Sequence, residues 1–288
     1  MNGKIVMVTG ATAGIGKMTA LELARKGAHV VLVARNSQKA DDVVAWIKQE
    51  TGNDNVEALI GDLSSIEQTR GVAEAFKAKY NRLDVLVNNA GVIMFSYSET
   101  VDGFETTFGL NHLVGYFYLT HLLLDQLKAS APARIVVVSS DAHYGGKINF
   151  DDLNLKDDYS SFKAYGQSKL MNVMFTYELA RRLEGTGVTV NALHPGGVAT
   201  NFGATNNNLN WFFRAVKRLT NPFLISEMDG AQTSIYLASS PEVEGITGQY
   251  FAKSKAKKSS GLSYDVDVQK RLWAVSEGLL GISEPVTE

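Results

Sequence analysis

Six short runs rich in β-branched residues, at 5–8, 29–34, 56–60, 83–87, 134–139 and 188–193, alternate with longer stretches of helical periodicity. That alternation constrains the fold more than any other feature of the chain. The runs are almost continuously apolar, the pattern of strands covered on both faces of a parallel sheet. Helices are predicted at 15–26, 38–49 and 66–79, and two longer, more apolar ones at 104–127 and 162–183. Repeated βα units of this kind wind into an α/β fold, a doubly wound parallel sheet with helices on both faces and right-handed crossovers.

The expectation is a Rossmann-like sheet of about seven strands. No Pro/Ser/Gly-rich or charged spacer interrupts the 288 residues, so a single domain over 1–288 is predicted. One segment, 200–228, breaks the rhythm: it is rich in Asn and carries Trp211, Phe212 and Phe213. Ligands of open α/β sheets sit beyond the carboxyl ends of the strands, so an irregular insertion after the sixth strand is placed to be a substrate lid. Trp211, Phe212, Phe213, Val216 and Leu219 approximate a helical stripe beside Arg214, Lys217 and Arg218. We read it as a lid helix over the cleft in preference to a membrane-surface helix. A net charge of -2 gives no reason to expect nucleic acid as a partner. The absence of cysteine excludes disulfides and thiol nucleophiles. The apolar run at 5–8 is too short for a signal core or a transmembrane segment, so a soluble, cytoplasmic protein is expected.

After the first strand comes Thr9-Gly10-Ala11-Thr12-Ala13-Gly14-Ile15-Gly16. Its glycines permit a sharp turn and bring backbone N–H groups, with the positive end of the next helix, against a pyrophosphate. The spacing departs from Gly-x-Gly-x-x-Gly, so alone it is a moderate signal. At the end of the second strand, where an NAD site usually places an acid for the ribose 2′-hydroxyl, the chain has Ala34-Arg35-Asn36. Arg35 suits a 2′-phosphate, which points to NADP(H). Asp62, followed by Leu63, either accepts from an adenine amino group or caps the next helix with Ser64.

Asn88-Asn89-Ala90-Gly91, Tyr165-Gly-Gln-Ser-Lys169 and Pro195-Gly196 follow in order. Together with Thr9–Gly16 these motifs resemble the short-chain dehydrogenase/reductase family over residues 4 to about 200. The resemblance implies Ser140, Tyr165, Lys169 and Asn111 as the catalytic set, Asn111 holding a water that links the lysine to solvent. It also implies cofactor contacts from Gly10, Thr12, Gly14, Ile15, Gly16, Asn89, Ala90, Gly91, Tyr165, Lys169, Pro195, Gly196, Val198 and Thr200. Its further implications are a small-molecule carbonyl or alcohol substrate and a homodimer through the two long helices. The spacing from Ser140 to Tyr165 is longer than in the shortest members, through an insertion within 141–161.

The residues carry their own chemistry. Tyr165 and Lys169 share a helix face, and a neighbouring ammonium is expected to favour the phenolate. Tyr165 would then give a proton to a carbonyl oxygen in reduction or take one in oxidation. Ser140 would stabilise charge developing on the same oxygen. His112 and His194 are read as structural. Intact Ser140, Tyr165, Lys169 and Asn111 argue for an enzyme over the alternative, a non-catalytic NADP(H)-binding sensor on the same fold. The tail (Gly248-Gln-Tyr-Phe251, Lys253 or Lys255, Ser260, Asp265, Arg271–Ser276), with Ser168-Lys-Leu-Met-Asn172, resembles the retinol dehydrogenase-like branch, whose typical substrates are hydrophobic aldehydes, ketones and alcohols.

Overall fold

The computed structural model describes residues 1–197 and 225–282. Among the described residues, eight strands form one sheet in the order β3-β2-β1-β4-β5-β6-β7-β8. They are β1 Ile5–Thr9, β2 His29–Ala34, β3 Val56–Ile60, β4 Val85–Asn88, β5 Ala133–Val138, β6 Val188–His194, β7 Gln249–Ala252 and β8 Lys255–Lys257. The first seven pair in parallel; β8 turns back antiparallel on β7 and brings the count to eight where about seven were expected.

Side chains along each strand alternate between two apolar layers, as the two-residue strand period requires. Met7, Val31, Ile135 and Val137 enter one layer, and Val6, Val8, Val30, Leu32, Val136 and Val138 the other. Burying each such side chain is worth about 1.5–3 kcal/mol, which is why a strand apolar on both faces is held in the middle of the sheet. The second layer packs α1 Gly14–Arg25, α2 Ser37–Thr51 and α7 Glu227–Ser239; the first packs α3 Ile66–Lys79, α5 Leu119–Ala129 and α6 Ser161–Arg182. A last helix, α8 Val266–Leu280, lies on α6.

The long helix expected at 104–127 is not uniform. It opens as α4 Thr106–Phe108, widens to a π-helical stretch over Gly109–Tyr118, and continues as α5. At Gly115 a Cβ would collide with the Leu110 carbonyl, so the wider turn needs a glycine there. Such widened turns often mark functional positions, and Asn111 lies inside this one. Most of the segment expected to be a lid, including the Trp211–Leu219 stripe, lies outside the described residues; residues 225–228 lead into and begin α7. Among the described residues no helix is long and apolar enough to cross a membrane.

Candidate active site

Strand order reverses between β1 and β4, and a cleft of about 530 Å³ opens at their carboxyl ends. This is where an open α/β sheet leaves room for a ligand. The Thr9 hydroxyl accepts the N–H groups of Asn89 and Ala90, both at 2.9 Å, and ties β1 to the end of β4. Asn89 Nδ2 donates to the Thr9 carbonyl at 2.8 Å. The glycine loop is pressed against this junction. A Cβ on Gly10 would stand 2.8 Å from Ala90 Cα, and one on Gly16 would stand 2.5 Å from the Gly10 carbonyl oxygen and strike Asn89 Nδ2. The N-cap of α1, Ala13, supplies no side-chain acceptor, and the first turn of α1 has no acid. The positive end of α1 therefore meets the cleft without a side-chain cap.

Gly10, Thr12, Gly14, Ile15, Gly16, Arg35, Leu63, Asn89, Ala90, Gly91, Ser140, Tyr165, Lys169, Pro195 and Gly196 all line this one cleft. Val198 and Thr200 lie outside the described residues. Asp62 is not a lining residue. Its Oδ1 accepts from Ser64 N at 2.9 Å and Ser64 Oγ at 2.7 Å, and its Oδ2 faces Arg35 Nη1 at 3.7 Å. The local turn is thus the reading of Asp62 that the geometry favours, while the helix cap itself is Ser65. Sequence reading missed Lys39, in the first turn of α2, which lines the cleft with Arg35, and Glu227 at the start of α7. The sequence signal for Lys39 is a second basic side chain soon after Arg35.

At the other end of the cleft the reacting groups converge. Ser140 ends the β5 connection and caps a 3₁₀ turn, Asp141–Gly145; its Oγ accepts from Ala142 N at 3.2 Å. A side-chain hydrogen bond links Ser140 to Tyr165. Lys169 is buried on α6, where its Nζ donates to the Val138 carbonyl at 3.0 Å. The ammonium lies 5.7 Å from the Tyr165 ring centre and 5.4 Å from that of Tyr116, whose hydroxyl donates to the same carbonyl at 3.2 Å.

Electrostatically the pair differs from the sequence expectation. Burial raises the Tyr165 phenol above its ordinary value, against the pull of the Ser140 hydrogen bond, and Lys169 does not drive it down. Burial instead lowers Lys169, to about 7. Helix spacing gives a shared face but says nothing of the desolvation that disfavours both charged forms.

Asn111 stands behind the cleft wall and does not line it. A Cβ at Gly91 would be 3.3 Å from Asn111 Oδ1 and 3.6 Å from Lys169 Nζ, so Gly91 is the thin partition between them. Asn111 Oδ1 accepts from Val92 N and its Nδ2 donates to the Val92 carbonyl, both at 2.8 Å. Its own carbonyl accepts from Asn172 Nδ2 at 2.9 Å, and Asn172 Oδ1 is 3.1 Å from His112 Nδ1. Burial lowers His112 to about 4, so it is neutral and donates to Asn172, a structural part as expected. His194, 3.1 Å from Asp141, likewise lies off the cleft lining.

A larger hollow of about 900 Å³ opens at the opposite, amino-terminal edge of the sheet, around Lys4, Arg134 and Val188. It holds none of the glycine loop and none of the Ser140, Tyr165 and Lys169 set, so the smaller cleft is the candidate site.

The model of the short chain dehydrogenase family matches residues 4–210. Retinol dehydrogenase 14 of Mus musculus is 45% identical over 293 residues, covering 98% of this chain and 87% of that protein. Among solved structures, an uncharacterized protein from Mycobacterium paratuberculosis superposes with a TM-score of 0.78 at 33% identity, covering 99% of this chain and 96% of the other. The RhlG/NADP active-site complex of Pseudomonas aeruginosa does so with a TM-score of 0.70 at 27% identity, covering 87% and 94%. With its glycine loop, its Ser140–Tyr165–Lys169 cluster and these matches, the chain belongs to the short-chain dehydrogenase/reductase family of oxidoreductases, on the retinol dehydrogenase-like branch.

Proposed function

We propose that this oxidoreductase uses NADP(H) to interconvert a hydrophobic aldehyde or ketone and its alcohol, with Tyr165 as the acid/base. The observation that carries the reading is the convergence of Ser140 and Lys169 on Tyr165 in the same cleft as the glycine loop. The crowding at Gly10 and Gly16 and the uncapped start of α1 fit a pyrophosphate, so the cleft suits a dinucleotide. NADPH would supply the hydride. Lys169 would hold the ribose next to the nicotinamide, and Gly91, Pro195 and Gly196 would lie along the ring.

Tyr165 is protonated at neutral pH, which suits it to donate as charge builds on the substrate oxygen. Ser140, hydrogen-bonded to Tyr165, would offer its proton to that same oxygen when substrate binds and stabilise the charge before transfer is complete. Asn111 acts one layer back by fixing the Val92 backbone beside Gly91. The names of the retinol dehydrogenase relatives support an extended apolar substrate, and the NADP in the RhlG complex supports the cofactor. An NADPH-oxidation screen across aliphatic aldehydes, ketones and retinal tests the reading; no hydride transfer to any carbonyl, despite NADPH binding, refutes it.

Cofactor choice is testable separately. Arg35 is the 2′-phosphate ligand in this reading, with Lys39 in the first turn of α2 as the second cation. A charge-assisted hydrogen bond is worth about 1.5–3 kcal/mol. Arg35→Asp is therefore expected to lower kcat/KM for NADPH by about 100-fold, with NADH use retained, and Lys39→Ala by about tenfold. Equal use of NADPH and NADH by the unaltered protein contradicts the assignment.

A further inference from the structure

Three residues beyond Ser140, the His143 ring is fully buried and makes two short directed bonds, with a longer contact between its Nδ1 and the Tyr250 hydroxyl at 3.5 Å. Its Nδ1 lies 2.7 Å from the Ser140 carbonyl oxygen, which can only accept. Its Nε2 receives the N–H of Ser260, at 3.1 Å, which can only donate. Those two partners admit one tautomer, neutral with the proton on Nδ1. The ring packs between Tyr144 and Tyr250, at centroid distances of 4.1 and 4.8 Å. The backbone N–H of His143 also donates to the Ser140 carbonyl, at 3.1 Å. A second tie runs beside the first: the Tyr144 hydroxyl donates to the Lys258 carbonyl at 2.6 Å.

We propose that His143 is a positioning residue for Ser140, transmitting to the serine the anchorage of the C-terminal segment at Ser260. The inference rests on the role given to Ser140 above and assigns the tail a purpose that role does not include. The Ser140 carbonyl is held by both the ring and the backbone of His143, so the peptide that aims the Ser140 side chain has little freedom to rotate. The Ser140 Oγ accepts from Ala142 in the same turn, so a shift of this turn moves the hydroxyl away from Tyr165. Burial lowers the pKa of His143, which keeps Nε2 free to accept from Ser260. Ser260 stands 117 residues along the chain from His143, and only the fold shows the link.

Two substitutions separate the two ring nitrogens. The amide of His143→Asn overlies Nδ1 and keeps a donor for Ser140; the amide of His143→Gln overlies Nε2 and keeps an acceptor for Ser260 but loses the bond to Ser140. With decanal and retinal as carbonyl probes, His143→Gln is expected to lower kcat by about 100-fold, the effect of an ångström-scale misplacement. His143→Asn is expected to hold kcat within about tenfold of the parent, but measurably below it, because it keeps the bond to Ser140 and loses the anchor at Ser260. NADPH dissociation constants, read by fluorescence, are expected to stay within about twofold in both, since neither variant touches the glycine loop. Equal kcat in the two variants, or a loss that follows only the fraction folded by Tm, overturns the proposal. Ser140→Ala in the same assay keeps the failures apart. If Ser140→Ala is inactive and His143→Gln is not, only the positioning role fails; if Ser140→Ala keeps full turnover, the reading of Ser140 fails first.

Discussion

Tyr165→Phe is expected to bind NADPH within about twofold of the parent and to turn over a carbonyl substrate about 1,000-fold more slowly, within the span general acid catalysis contributes. The substitution removes one oxygen and keeps the ring. Lys169 keeps its Val138 carbonyl, and its ammonium still lies near the same aromatic ring, so the wall of the cleft is preserved. What is lost is the proton that the substrate oxygen must receive, together with the hydrogen bond between the phenol and Ser140. Ser140 cannot take over the transfer, because a hydroxyl at its ordinary pKa is a far weaker acid than a phenol; it stabilises charge without neutralising it. Fluorescence titration with NADPH beside steady-state NADPH oxidation measures both halves of the expectation. Unchanged turnover would remove Tyr165 from the chemistry, and loss of NADPH binding would show that the phenol oxygen serves the cofactor instead.

The parallel core was legible because a strand buried on both faces must be apolar at nearly every position, as 29–34 and 134–138 are. β7 and β8 escaped for the opposite reason. β7 has four residues, and β8 reads Lys-Ala-Lys with every side chain exposed, so no hydrophobic pattern marks it. The π-helical stretch at Asn111 was invisible because one extra residue in a helical turn leaves an apolar run looking helical; Gly115 is its trace only in hindsight. Site residues that touch the cleft sit in local motifs next to strand ends, and local motifs are what a sequence displays. His143 and Asn172 act through contacts made by the fold, with Ser260 and Asn111 as their respective neighbours, and nothing local announces those contacts. The Tyr165–Lys169 electrostatics failed on the same ground: spacing specifies which groups meet, while burial decides which protonation state each prefers.

Lys169→Met is expected to abolish turnover and to make the protein more stable. The ammonium is buried against the Val138 carbonyl, its hydrogen-bond acceptor, and desolvation lowers its pKa from 10.5 to about 7. An unfolded chain holds that proton more tightly, so between pH 7 and 10.5 the unfolded state binds more protons and stability rises with pH. Below pH 7 both states are protonated and the full penalty of burying the charge applies; above 10.5 neither is, and the penalty vanishes. Methionine fills a similar volume without the charge, and the Val138 carbonyl keeps the Tyr116 hydroxyl, so no acceptor is orphaned. The gain should be on the order of 2 kcal/mol at pH 6, discounted from the full shift for relaxation and water penetration, and should fade toward pH 10. For a domain of this size that is a Tm increase of roughly 5 °C at pH 6. Thermal melts of both proteins from pH 6 to 10 measure it: a gain that shrinks as pH rises supports a charge kept for catalysis at the expense of the fold. A loss of stability at every pH would show instead that the ammonium, seated over Tyr116, helps to hold α6 on the sheet.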